Sequence, residues 1–497
     1  MLLGPLSIPR LCSSVAVYLV LLYMLVLFPT WLATSSSAAV GFVGNVAVVT
    51  FRSVFGIPDP RVQERAGAAR RELEEEIGPA QFSDLADMAD RMKAFIKLAT
   101  AVQMEPLLDE QPLEDLLRQQ FPWLNASQLE YTPWSRHRRR QHAPPSPPAE
   151  TTGMVICVGR KNAVLAGHLI HTLRNVLNST LPIEFAYLGN DDLPAEAQEL
   201  LMAIATDVSP LDLTRAFPAH SLGLESGWGL KPFALLASRY QRVILADADV
   251  IFMQKPDDIF ETQPGLAETG TLFWHDRAID FLVGSLRDWL QPIMEHRRPS
   301  AMLQKSLMWT DDARMEMEAG VVCMDKGRAG VFMSAVLTAW MNSGDIRQDT
   351  YHYMWGDKET YWIAAELTST PYHFLSDYAG TIGELHNGTT VCSTQVAHTD
   401  STGQLLWINS SVRRDKYVSR ELGKFTHWQR GMYTFPGNGT WENIDETVWC
   451  LTGHAPIPMN ETGLDGVIKD VLREVNRVDG FFDLRGWTER IDRPSYG

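Results

Sequence analysis

Residues 227–261, GWGLKPFALLASRYQRVILADADVIFMQKPDDIFE, set an acidic Asp-x-Asp turn at the end of a hydrophobic strand. The run Arg242 to Ala246 is apolar and β-branched at its centre, which suits a strand covered on both faces, and it stops at Asp247-Ala248-Asp249. Both carboxylates can turn toward one cation if the backbone kinks between them, and hard oxygen donors suit Mn²⁺ or Mg²⁺. Like charges that close imply a metal, a shared proton, or side chains pointing apart. A helix pattern with Lys231 near its start precedes the strand. Lys231 is placed either to reach a diphosphate held by the metal or to stand as a solvated helix cap. An aspartyl nucleophile of the phosphatase type is the competing use of Asp-x-Asp. It needs a following Thr or Val and an open loop, whereas Val250 to Met253 continues as apolar strand.

Outward from this segment, short apolar runs alternate with helix-period stretches. Gly153 to Val158 reads as a strand, Ala163 to Leu177 as a helix, Ile183 to Leu188 as a strand and Pro194 to Ala205 as a helix. Such alternation predicts an α/β fold with ligands gathered at the carboxyl ends of the strands, which places Asp247 and Asp249 in the crevice. No Gly-x-Gly-x-x-Gly element or P-loop supports a dinucleotide or NTPase reading.

Segment 227–261 resembles the core of the fungal Golgi α-1,3-mannosyltransferases, glycosyltransferase family 71, and more distantly the glycogenin type of sugar transferase. Further blocks agree in order: Gly270 to Arg277 (GTLFWHDR), Glu318 to Lys326 (EAGVVCMDK), Gly356 to Trp362 (GDKETYW), Pro371 to Phe374 (PYHF) and Gln395 to Asp400 (QVAHTD), followed by Leu405-Leu406-Trp407. The resemblance implies a GT-A-type nucleotide-sugar transferase domain, a Rossmann-like mixed sheet flanked by helices. It also implies His398 as the third protein ligand of the metal beside Asp247 and Asp249, and Asp357 facing the transferred sugar. From the residues alone, Asp357 reads equally well as the N-cap of a helix running to Leu367. Glu318, ahead of a buried strand, is a candidate for sugar hydroxyls. His275 and Asp276, ending the strand Thr271 to Trp274, are expected near the donor sugar together with Lys231. Asp357 and Glu318 are the candidate nucleophiles if transfer is covalent. Glycogenin-type enzymes carry a basic residue after a glycine where this chain reads Gln404-Leu405, so Lys231, or Arg413 and Arg414, is expected to meet the phosphates.

The chain has 497 residues and a net charge of −16, enough length for a catalytic domain with appendages and the wrong sign for a polyanion or nucleic-acid binder. Residues 13–33 are expected to form a transmembrane signal anchor after a cytosolic tail of residues 1–12, since Ser13 to Leu32 carries no charge. A cleaved signal peptide is the alternative. Residues 34–131 read as a luminal stem, partly helical, whose apolar stripe packs either on the catalytic domain or on a partner chain. Residues 132–152, rich in Arg and Pro, read as a linker, and 153–497 as the GT-A domain with a C-terminal extension. Asn125, Asn178, Asn387, Asn409, Asn438 and Asn460 begin Asn-x-Ser/Thr sequons, which fit a glycosylating lumen. Of the five cysteines, Cys392 and Cys450 are the expected disulfide, while Cys157 and Cys323 lie in apolar runs as buried thiols.

The uncharged span and the sequons predict a type II membrane protein, and the resemblance implies that the membrane is that of the Golgi. Through the resemblance, its donor is expected to be GDP-mannose, its metal Mn²⁺ or Mg²⁺ and its acceptor a mannose-containing glycan, with retention and an α-1,3 linkage. Membership of a Golgi glycosyltransferase complex stays open. A UDP-sugar donor on the same fold, or a non-catalytic scaffold role in mannan synthesis, are the competing functions.

Overall fold

The computed structural model describes residues 59–77, 80–105, 107–135, 152–218, 227–277, 285–310, 313–416, 419–431, 441–445 and 447–487. The expected anchor, the Arg/Pro run 136–150 and the sequon at Asn438 lie outside them. No helix among the described residues is long and apolar enough to cross a membrane. Of residues 1–64, the described part is the start of the helix Pro60–Glu76; everything below concerns residues 65–497.

Fifteen strands among the described residues are numbered in chain order. The first seven are β1 Thr152–Cys157, β2 Ile183–Tyr187, β3 Val208–Asp212, β4 Arg242–Asp247, β5 Ile251–Phe252, β6 Thr271–His275 and β7 Met317–Asp325. Next come β8 Thr381–His386, β9 Thr390–Ser393, β10 Val396–Thr399 and β11 Leu405–Asn409. The last are β12 His427–Gln429, β13 Trp441–Asp445, β14 Val448–Leu451 and β15 Ile457–Pro458.

The main sheet runs β3-β2-β1-β4-β7-β6. Strands β3, β2, β1 and β4 are parallel, and β7 enters antiparallel between β4 and β6. The α/β expectation is met. Val243 to Ala246 are wholly buried in β4, as an apolar run covered on both faces requires. Each large aliphatic side chain buried this way contributes roughly 1.5–3 kcal/mol.

The chain leaves the main sheet at the Asp-x-Asp turn. The run after it, read from sequence as a continuing strand, becomes β5 of a separate sheet ordered β10-β11-β5. In this small sheet Phe252 is opposite Trp407 and Trp407 is opposite His398. His398 therefore sits within a strand. Trp274 of β6 meets Trp407 edge to face at 5.4 Å, so the two sheets share one core.

A third sheet, β13-β14-β9-β8-β12-β15, follows. Cys392 and Cys450 are register partners on β9 and β14 and form the expected disulfide. Cys323 is buried and Cys157 half-buried. The helix Leu85–Met104, read from sequence as stem, packs against helices Ala329–Met341 and Thr360–Leu367. Of the two options the sequence left open, the body formed by the residues after 152 is its partner.

Candidate active site

Asp247 closes β4 opposite Cys157 of β1, at the carboxyl ends of both parallel strands. Two lysines from other parts of the chain meet the acidic turn. Lys231 is the first residue of the helix Lys231–Ala237 and is only 3 % exposed, so it is no solvated cap. Its Nζ lies 3.0 Å from Asp247 Oδ1 and 3.3 Å from Asp357 Oδ2, and it donates to the Ala319 carbonyl at 2.7 Å. Burial opposes the charge on Lys231, but Asp247 and Asp357 outweigh it and hold the ammonium protonated well above the usual lysine range. Burial also pushes the Asp247 carboxyl up to about 7; Lys231 opposes that shift, while Asp249 and Asp357 reinforce it. The second lysine, Lys416, donates to Asp249 Oδ2. Ser411 donates its N–H to the Asp249 carbonyl at 2.6 Å, fixing the loop that carries Lys416 beside the turn.

Asp357 is 2 % exposed and accepts a hydrogen bond from Tyr361 Oη at 3.0 Å. Among the described residues its carboxylate caps no helix: the N-cap position of the helix Thr360–Leu367 belongs to Glu359. The even choice left by the sequence falls to the charged cluster.

A neighbouring cluster surrounds Glu318 and Asp276. Glu318 Oε1 accepts from the Gly320 N–H at 2.8 Å and from Asn409 Nδ2 at 3.0 Å. Lys358 Nζ bridges Glu318 Oε2 at 3.2 Å and Asp276 Oδ2 at 2.8 Å. Although burial works the other way, Lys358 holds the Glu318 carboxyl down at about 2, helped by the Gly320 N–H. Charge-assisted bonds of this kind stabilise a buried carboxylate and leave it a weak nucleophile. Of the two nucleophile candidates, Glu318 is thus the one whose oxygens are both committed.

His275 does not join Asp276. Its ring is sandwiched between Phe374 at 4.6 Å and Tyr378 at 4.2 Å, and its Nδ1 lies 2.7 Å from Glu316 Oε1. His275 is thus placed among aromatic rings and Glu316, while Asp276, one residue beyond β6, turns to Lys358.

His398 is 2 % exposed and stacks on Trp407 at 4.0 Å. Among the described residues, neither of its ring nitrogens has a hydrogen-bond partner. Burial pushes the imidazole down to about 4, so it is neutral near pH 7. A buried neutral imidazole with both nitrogens unclaimed suits a ligand. The three-ligand set expected from the resemblance is nevertheless not assembled: among the described residues no three His, Cys, Asp or Glu side chains converge to hold an ion. Each carboxylate of the turn is instead paired with a lysine.

Three positions escaped the sequence reading. Lys358 stands inside the block Gly356 to Trp362 without a role of its own there, and Lys416 carried no signal. Asn409 was read as a sequon although its amide belongs to Glu318. Arg413, a candidate phosphate cation, is wholly buried and pairs with Asp479 at 3.0 Å on the helix Asp465–Leu484; Arg414 is exposed beside Glu421. Arg413 is therefore part of the packing, which corrects that expectation.

The chain can also be set beside known proteins. A family model described as a mannosyltransferase, Mannosyl_trans3, matches residues 151–400. The α-1,3-mannosyltransferase MNT2 of Saccharomyces cerevisiae is 23 % identical over 450 residues, covering 75 % of this chain and 76 % of that protein. The α-1,3-mannosyltransferase MNN1 of the same yeast is 25 % identical over 313 residues, 52 % of this chain and 40 % of its own length. The chain spans less than half the length of the first curated relatives it matches, 43 % and 49 %. Among solved structures, the S. cerevisiae mannosyltransferase Ktr4p aligns with a TM-score of 0.33 at 12 % identity, over 48 % of this chain and 71 % of that one.

Proposed function

The chain belongs to the fungal α-1,3-mannosyltransferase family, glycosyltransferase family 71, and from that membership we propose that it transfers mannose from GDP-mannose to a mannose-containing glycan with retention, forming an α-1,3 linkage. The observation that carries the reading is the Asp247-Lys231-Asp357 cluster at the carboxyl end of β4, with Asp249 one residue beyond.

A hard divalent cation, Mn²⁺ or Mg²⁺, would have to displace Lys231 and Lys416 from the turn, because the three donors do not converge on one point among the described residues. Asp247 and Asp249 would hold it through carboxylate oxygens, and His398, with both nitrogens unclaimed, is the third donor the chain offers. Such an ion supplies charge neutralisation for the departing diphosphate. The rest falls to the chain's own groups. Lys231 pairs with Asp357 and fixes its distance from the Asp-x-Asp turn. Tyr361 orients the Asp357 carboxylate toward the transferred sugar. Lys358 holds Asp276 and Glu318 in place as acceptors for sugar hydroxyls. Keeping donor and acceptor in register supplies much of the lowering of the barrier. A luminal, single-pass type II placement in the Golgi membrane completes the proposal, supported by the uncharged run at residues 13–32 and by the exposed sequons Asn178, Asn387 and Asn460.

The test offers GDP-mannose and UDP-sugars in parallel to the full chain in detergent, with an α-mannoside acceptor and either Mn²⁺ or chelator. Mannose transfer from GDP-mannose alone, abolished by chelator and reduced at least 100-fold in Asp247→Asn, is the expected outcome, a change that corresponds to about 2.7 kcal/mol in the barrier. Turnover of a UDP-sugar would replace the donor. No turnover from a folded chain would favour the scaffold function.

A further inference from the structure

Trp228 and Trp355 are the exposed tryptophans among the described residues, at 54 % and 48 %. The same fold buries Trp274, Trp362 and Trp407 almost completely. Leaving two indoles in water forgoes the gain from burying their apolar surface. Large aromatic surface left out at one place marks a surface that something covers.

The two indoles are brought to one place. Trp228 opens the 3-10 turn Trp228–Leu230, which leads directly into Lys231. Trp355 precedes Gly356 and Asp357. The ring of Trp228 lies on Gly356: a Cβ there would come within 2.9 Å of Trp228 Cε3, and Gly356 has a φ of 65° that disfavours other residues. A glycine between Trp355 and Asp357 thus lets the two segments close on each other. The Arg314 guanidinium lies over one face of the Trp355 ring, 5.3 Å from its centroid, adding a hydrogen-bond donor beside the aromatic surface.

The position along the site says what stacks there. Lys416 pairs with Asp249, Lys231 joins Asp247 to Asp357, and the tryptophans stand beside Asp357 through Gly356. On the proposed function, the diphosphate meets the Asp-x-Asp turn and the transferred sugar meets Asp357, so the next group outward is the acceptor. A pyranose presents ring C–H bonds on its flat face and hydroxyls around its rim. That face suits an indole, and the rim suits Arg314. We propose that Trp228 and Trp355 form the acceptor platform, on which the pyranose rings of a neutral glycan stack beside Asp357.

This inference rests on the transferase reading, and the experiment separates the two. Trp228→Ala, Trp355→Ala and the corresponding Phe variants are made in the full chain. Kinetics are read with a linear α-linked mannotriose as acceptor, GDP binding with Mn²⁺ by calorimetry, and mannotriose binding by intrinsic tryptophan fluorescence. The Ala variants should raise the acceptor KM at least tenfold with the GDP-mannose KM within twofold, and the Phe variants should recover part of the loss. Mannotriose should perturb wild-type fluorescence and fail to do so in the double Ala variant. An acceptor KM within twofold of wild type overturns the platform, as does a tenfold loss of GDP affinity with acceptor unchanged, which would make the indoles a nucleobase stack. If the wild type transfers no mannose, the transferase reading falls by itself. The fluorescence titration then decides the platform alone, and an unperturbed wild-type signal overturns it.

Discussion

Glu359 shows how one buried group makes the site's foundation depend on pH. It is wholly buried and takes the N–H groups of Glu316 and Met317 on Oε1, at 3.0 and 3.2 Å, and Trp362 Nε1 on Oε2. Burial pushes its carboxyl up to about 7, against the pull of those bonds. A carboxyl raised in the fold binds its proton more tightly there than in the unfolded chain. Its contribution to stability is therefore complete below about 4.5 and is lost as pH rises through about 7. Each tenfold gain in proton affinity is worth about 1.4 kcal/mol, so the loss amounts to about 3 kcal/mol. Urea unfolding of wild type and Glu359→Gln at pH 5 and pH 8 should show the wild type losing stability relative to the variant across that window; parallel profiles would rule the effect out. The sequence placed Glu359 one residue from Thr360 in a helix-opening block but gave no sign of its burial. Similarly, Asp247 and Asp249 were legible as a pair, whereas their cations were not. Lys416 reaches Asp249 across 167 residues, and a pairing that long leaves no local trace.

At the scale of elements, the helix Leu85–Met104 ties the first part of the chain to the catalytic body. Its stripe of Leu85, Met88, Met92 and Phe95 was legible from spacing, and all four are buried. What covers them was not. Gln103 accepts the Ala329 N–H at 3.3 Å, Arg297 donates to the Ala86 carbonyl at 2.8 Å, and farther along, Trp134 packs on Phe332 at 5.2 Å. Phe332 and its helix lie within the family-matched region, so the segment before residue 151 completes the core of the part that follows. Phe95→Ala should cost about 3–5 kcal/mol in denaturant unfolding. A chain beginning at residue 150 should be recovered as aggregate; a soluble fragment with a cooperative melt would show the helix to be dispensable. β5 teaches the complementary lesson. An apolar run of four residues was read as strand, which held for two of them, but strand pairing is a non-local choice. The kink at Asp247-Ala248-Asp249 sent it to another sheet.

For the molecule as a whole, the Cys392–Cys450 disulfide ties the third sheet together across 58 residues. That sheet reaches the site through the bridge between Gly380 and Ala397, next to His398. Closing a loop of that length is worth about 4 kcal/mol on chain entropy. The Cys392→Ser, Cys450→Ser double variant should lower the urea midpoint accordingly, and a linked peptide should appear in a non-reducing map of the wild type; its absence would refute the pairing. By itself the sequence determined the α/β class, the strand that ends at Asp247, the acidic pair beyond it, the family and this disulfide. Each is written in short-range order: apolar runs, turn residues, fixed spacings and blocks in sequence. Only the tertiary structure decided that Lys231 joins Asp247 to Asp357, that Lys358 commits Glu318, that His275 stacks against Phe374 and Tyr378, and that Trp228 lies on Gly356, next to Trp355. Those outcomes depend on which charges and rings the fold brings within a few ångströms, where low dielectric makes pairing strong and unpaired burial costly.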